Sequence, residues 1–231
     1  MRLISFSLIT AVFLIGCSSS KKVNLKKIEG VTKDDTIVSI NTNKGEIIIK
    51  LYNDTPLHKA NFIKLINDGN LTNTLFHRVI RGFMIQGGDP ESKNAVAGRG
   101  YGSGSLGYTV PAELNTTHIH KKGAMSAART PDNINPEKNS SSIQFFLVQG
   151  KPQNDMQLNS QENNSQKKYT KAQRDIYKAI GGAPFLDGNY TCFGEVVLGL
   201  EVIDIICALP TNNADRPSED VKMLEVTVLQ K

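Results

Sequence analysis

The sequence predicts a mainly β domain, an antiparallel barrel or sandwich that also carries two helices. Short apolar runs separated by glycine, at 75–80, 84–87, 123–128, 143–148 and 190–197, have the length and composition of strands. The stretch "TIVSINTNKGEIIIKLY" alternates apolar and polar residues on each side of Asn43-Lys44-Gly45, which reads as a β-hairpin with a glycine-containing turn. Helical periodicity is confined to a few segments and does not alternate with strands as βαβ units would require.

The chain begins with "MRLISFSLITAVFLIGC", a basic Arg2, an apolar run from Leu3 to Ile15, and Gly16 before Cys17. That run is too short to span a bilayer as a helix and has the build of a secretory signal, assigned to residues 1–17. Its ending "LIGC" resembles a bacterial lipobox, in which Cys17 receives lipid and becomes the mature N-terminus; the alternative is a soluble secreted protein with an incidental cysteine. Residues 18–35 then read as a polar tether, about 55 Å long if fully stretched. The folded domain is expected over 36–231. Within it, "DTPLHKANFIKLINDGN" is helical: Asp54 or Thr55 as N-cap, Pro56 in the first turn, Gly69 as the stop. Ala60, Phe62, Ile63, Leu65 and Ile66 supply its apolar face. A second helix is expected at 199–208, with Leu200, Ile203, Ile206 and Cys207 on one side, and "KMLEVTVL" is the last strand. Residues 153–183 read as an insertion, partly mobile, that opens with polar low-complexity sequence and forms one helix from Thr170 to Gly181-Gly182.

The net charge of +5 is mild and the lysines are scattered apart from Lys21, Lys22, Lys26 and Lys27, which argues against nucleic acid as a partner. "GSGSLG" at 102–107 matches G-x-G-x-x-G, but "YTVPAE" follows it and no helix begins, so a flexible loop is the better reading. His118 and His120 read as surface residues of a turn, with no histidine or cysteine cluster beside them. No G-x-S-x-G elbow occurs. Cys192 and Cys207 both sit in apolar company, and a disulfide or two buried thiols remain open.

"FHRVIRGFMIQGGD" at 76–89 sets Arg78 and Gln86 among large apolar residues. A three-residue turn, Arg81-Gly82-Phe83, places Arg78 opposite Gln86 and Ile80 opposite Met84 on one face. Val79, Ile85 and His77 then face the core. A cation and an amide above an apolar floor suit an apolar ligand that also carries an amide.

That segment resembles the signature of the cyclophilins, the peptidyl-prolyl cis-trans isomerases. "GAMSAAR" at 123–129, "SIQFFLV" at 142–148 and "FLDGNYTCFGEVV" at 185–197 follow in family order. The resemblance implies a closed eight-stranded antiparallel β-barrel capped by two α-helices, with the site on its outer face. It implies Arg78 as the catalytic residue, supported by His77 behind it. Phe83, Met84, Phe146 and Leu186 would line the proline pocket, with Phe185 at its rim and Tyr190 beside it. Gln86, Ala128, Arg129 and Gln144 would hold the substrate backbone. Phe185, Arg129 and Tyr190 stand where the best-known eukaryotic members have tryptophan, asparagine and histidine; they resemble bacterial members and weaken the expectation of tight cyclosporin binding. No cofactor or metal is expected. The expected function is isomerisation of X-Pro bonds in exported proteins by a monomer held to a membrane through lipid on Cys17. The alternatives are a cyclophilin-fold module that grips proline-containing segments without turnover, and an adaptor acting through 153–183. In the adaptor case, deleting 153–183 leaves small-peptide turnover nearly unchanged.

Overall fold

The structure, a computed structural model, describes residues 24–114, 117–165 and 167–231. The leader at 1–17 with Cys17, and residues 18–23 of the tether, lie outside the described residues. The hairpin β1 (Thr36–Thr42) and β2 (Gly45–Leu51) turns at Asn43-Lys44, with Thr42 opposite Gly45. Helix α1 (Pro56–Asn67) follows, then the hairpin β3 (Arg78–Ile80) and β4 (Met84–Gly87). Next come β5 (Thr109–Val110), β6 (Ala124–Ala127), β7 (Ser140–Ser141) and β8 (Phe145–Val148). Two helices, α2 (Asp155–Ser165) and α3 (Lys171–Ala179), fill the insertion, and β9 (Cys192–Leu198), α4 (Leu200–Cys207) and β10 (Met223–Gln230) complete the chain.

Eight strands form one antiparallel sheet in the order β10-β1-β2-β9-β6-β8-β4-β3, and β5 pairs with β7 apart from it. The sheet is an open half-barrel, not the closed barrel that the resemblance implied. Its edges, β3 and β10, share no ladder. Val79 at the centre of the three-residue β3 donates instead to the Asp215 carbonyl at 2.8 Å, so a loop occupies the place a closing strand would need. The bridge between Leu75 and Lys222 and a few neighbouring bonds stitch the seam. The described residues hold four α-helices: α1 and α4 pack on the sheet as foreseen, α3 is the helix expected within the insertion after Thr170, and α2 is an addition.

Side-chain alternation separates two apolar clusters. Val79, Ile85, Met125, Phe145 and Leu147 point inward to the core, with Phe62 and Leu65 of α1 and Ile203 and Ile206 of α4. Met84, Ala124, Phe146 and Val148 point outward and form a second cluster with Leu186 and Cys192. On α1, His58 is buried in place of the expected Ala60, which is exposed. The Thr55 side chain makes no cap bond; the Glu113 carboxylate accepts from the Leu57 and His58 N–H groups at 3.0 and 2.9 Å and caps the helix from 55 residues away. His118 is half-buried, stacked on Tyr52 and paired with Asp54 at 2.7 Å, and His120 is fully buried, contrary to the turn-surface reading. Cys192 and Cys207 are free and buried, and burial pushes each thiol up to about 12. Neither is a nucleophile at neutral pH.

Candidate active site

The β3–β4 hairpin has the register that its turn length predicts: Arg78 opposite Gln86, Val79 opposite Ile85, Ile80 opposite Met84. Gly82 makes the turn possible with φ +78°, and a β-carbon there would collide with the Lys151 side chain. Because β4 also pairs with β8, Gln86 stands across from Phe146 on the outer face. The 184–190 segment folds over the same face.

These elements enclose a pocket of about 570 Å³. Its apolar floor is Phe83, Met84, Phe146 and Leu186; Phe185 stands at the rim, 53% exposed, with its ring centroid 5.3 Å from that of Phe83. Arg78, Gln86, Ala128, Arg129 and Tyr190 border it, as do Asp132 and Asn189, which sequence reasoning did not single out. Arg78 is half-exposed. Its Nε donates to Asp215 Oδ2 at 3.3 Å, and its Nη1 meets Gln86 Oε1 at 3.5 Å, the outer limit of a hydrogen bond. The guanidinium is thus anchored at the pocket mouth through Nε and Nη1. Nothing local in the sequence pointed to Asp215, 137 residues away in the loop before β10.

Two expected peptide-binding side chains are turned to other work. Gln144 faces a neighbouring hollow of about 380 Å³, and its amide donates to the Gly102 and Gly104 carbonyls at 2.9 and 2.8 Å. Its Oε1 accepts from Gln86 Nε2 at 3.1 Å. This relay fixes which way each amide faces: loop carbonyls orient Gln144, Gln144 orients Gln86, and Gln86 presents its oxygen to Arg78. The "GSGSLG" loop therefore works as the anchor of the relay, held from below by Asp89, which accepts from Gly102 and Gly104 N–H. Arg129 is buried along the wall, with bonds to the Asn189 and Thr130 carbonyls and to Asp132, and it lies 4.5 Å over the Tyr190 ring. It braces 129–132 against 189–190.

His77 sits behind Arg78 as expected, 2% exposed, and neither ring nitrogen makes a well-formed hydrogen bond, the Leu75 backbone being its nearest acceptor. Burial pushes its pKa down to about 4, with the Asp89 charge opposing. The unfolded chain takes up this proton near pH 6.5 and the folded chain resists until about pH 4, so stability falls as pH drops through that window and levels off below it. Urea unfolding at pH 7 and pH 4.5 is expected to show a loss that His77→Leu reduces by about 2–3 kcal/mol. Equal pH slopes in the two proteins would remove His77 as the source.

The family model described as "Cyclophilin type peptidyl-prolyl cis-trans isomerase/CLD" matches residues 37–228. The chain belongs to the cyclophilins, the peptidyl-prolyl cis-trans isomerases. Within that family it is 32% identical over 194 residues to the peptidyl-prolyl cis-trans isomerase CYP18-1 of Arabidopsis thaliana, covering 83% of this chain and 94% of the relative. It is 29% identical over 191 residues to the isomerase cypE of Dictyostelium discoideum, covering 82% and 96%. A longer Streptococcus pyogenes protein, named for both phosphatase and isomerase activity, is 34% identical over 198 residues, and the match spans 80% of this cyclophilin and 37% of that protein. Among solved structures, a cyclophilin of Cryptosporidium parvum superposes with a TM-score of 0.62 at 24% identity, covering 85% of this chain and 99% of that one. This likeness carries the fold. A second structure of that cyclophilin, determined in the presence of the dipeptide Ala-Pro, superposes with a TM-score of 0.60 at 23% identity.

Proposed function

We propose that this cyclophilin is a lipid-anchored, envelope-facing monomer that accelerates X-Pro rotation in exported polypeptides, with Arg78 acting on the prolyl nitrogen. The observation that carries the reading is the placement of an anchored guanidinium at the mouth of an apolar pocket. Amide rotation faces a barrier of ~18–20 kcal/mol because the nitrogen lone pair is shared with the carbonyl. At the twisted midpoint that pair returns to nitrogen, which becomes pyramidal and accepts a hydrogen bond. A cation held in place for that moment stabilises the midpoint more than either planar state, and each ~1.4 kcal/mol so gained is tenfold in rate. Phe83, Met84, Phe146 and Leu186 grip the pyrrolidine ring while Gln86 takes the peptide backbone, so one side of the bond is held as the other turns.

A protease-coupled assay on a tetrapeptide with one Ala-Pro bond tests the activity: acceleration above the uncatalysed rate is expected. Peptide binding without acceleration would leave only a binding module.

The anchor reading rests on "LIGC" and the polar tether behind it. Among the described residues no helix is long and apolar enough to cross a membrane. Ser18 after Cys17 favours the outer membrane. Cys17→Ser is expected to move the protein from the membrane to the soluble or precursor fraction; unchanged fractionation, with no shift in precursor size, would end the lipoprotein reading.

A further inference from the structure

The insertion has an apolar core of its own. Leu158 of α2, Tyr177 of α3, Tyr169 between the helices and Ile119 from the preceding loop are buried together, and Ile176 packs on them. The Thr170 side chain and Gln173 form a capping box that starts α3. At the base, Lys151 and Gly182 pair as an antiparallel bridge that closes the excursion. Gly182 is required there, since a β-carbon would lie 2.4 Å from the His120 carbonyl and 2.5 Å from the Tyr177 ring. None of this packing needs an outside partner.

Two phenols leave this small core in one direction. Tyr177 donates to Asp187 Oδ2 at 2.5 Å; Tyr169 reaches the same oxygen at 2.9 Å and the Pro184 carbonyl at 3.1 Å. The other carboxylate oxygen accepts from the His120 backbone N–H at 2.8 Å and its ring Nδ1 at 2.7 Å. Asp187 directly follows Phe185 and Leu186, the rim and part of the floor of the proline pocket, and the His120 ring stacks behind Phe146 at 6.3 Å. Burial raises both phenol pKa values and the charge of Asp187 adds to this, so both remain protonated donors.

We infer that the 153–183 insertion is a positioning device for the isomerase site: through the Tyr169 and Tyr177 hydroxyls on Asp187 it fixes the Phe185–Leu186 lip of the proline pocket. This deepens the isomerase reading and rests on it for the identity of the pocket. The lip grips the proline ring equally in the planar and twisted states, so loosening it weakens binding throughout and leaves the chemical step alone. That separates positioning from mere stability. A protein that is partly unfolded loses active enzyme and apparent kcat at unchanged KM, whereas a loosened lip raises KM.

The test compares wild type with Tyr169→Phe, Tyr177→Phe and the double variant, and uses Met156→Ala, an exposed side chain of α2, as control. Turnover of the Ala-Pro tetrapeptide is measured beside direct calorimetric binding of the same peptide. In the double variant KM and Kd are expected to rise about fivefold with kcat within about twofold, the single variants falling between and the control matching wild type. Unchanged KM and Kd in the double variant overturn the proposal, whatever happens to its melting temperature. Should the double variant not fold, the single variants decide by the same criterion. If wild type binds the peptide without turning it over, the isomerase reading falls alone and Kd still decides the positioning role; if it does neither, both fall.

Discussion

Arg78→Ala is expected to lower kcat/KM for a prolyl tetrapeptide by about 10²–10³-fold, the usual loss when one aimed donor is removed from a transition-state site. The loss should fall on kcat with KM nearly unchanged, because the bond to the prolyl nitrogen exists only while that nitrogen is pyramidal. The fold should not notice. The guanidinium is 43% exposed and its partner Asp215 is 41% exposed, so their ion pair contributes at most about 1 kcal/mol to stability. Arg78→Lys should recover little of the rate, since a compact ammonium on a flexible stem cannot use Asp215 and Gln86 together as two edges of a planar fork can. The same assay decides it: a wild-type rate for Arg78→Ala would take the proposed role away from Arg78.

How far this site could be read from the chain depends on whether each feature is local. Arg78 and Gln86 share a face because a turn length sets strand parity, and parity is a property of a dozen consecutive residues; the observed pairing follows it. Phe145 inward and Phe146 outward follow from the same alternation. What a polar side chain bonds to is a different matter. Gln144 and Arg129 lie beside the pocket, yet loop carbonyls at 102–104 and Asn189 occupy their donors, and those partners arrive from distant parts of the chain. Glu113 capping α1 and Asp215 holding Arg78 are likewise pairings that no periodicity announces. Helix α2 was missed because "DMQLNSQENNS" has almost no apolar stripe; Leu158 and Glu162 are its only buried residues, and Glu162 receives Tyr169 N–H and Arg174. The open seam beside β3 escaped because a residue from a distant loop takes the hydrogen bond that a closing strand would have made.

Asp187→Ala is expected to destabilise the domain by about 3–5 kcal/mol, the usual effect of removing one partner from a buried charged network. The carboxylate is 2% exposed and accepts from two phenols, a backbone N–H and a histidine ring; without it those donors are left in a site that water does not reach. Burial on its own would raise the Asp187 pKa, but the bonds from His120 and Tyr177 outweigh it and hold the pKa below the ordinary aspartate value. Its contribution is therefore complete above about pH 4, where the unfolded carboxyl is also ionised, and is lost as pH falls through the lower folded value. Urea midpoints for wild type and Asp187→Ala should stand far apart at pH 6–7 and converge as pH falls below the ordinary aspartate range. A constant gap across that range would mean that packing, not charge, supplies the stability. Asp187→Asn should lose less, because its oxygen still accepts while its NH₂ opposes the donors on the other side. The donors come from a loop and from the inserted helical pair, and the acceptor sits in the segment that makes the pocket lip. One carboxylate thus joins three parts of the chain with no sheet ladder among them, which makes it both a keystone of the fold and the rear support of the site.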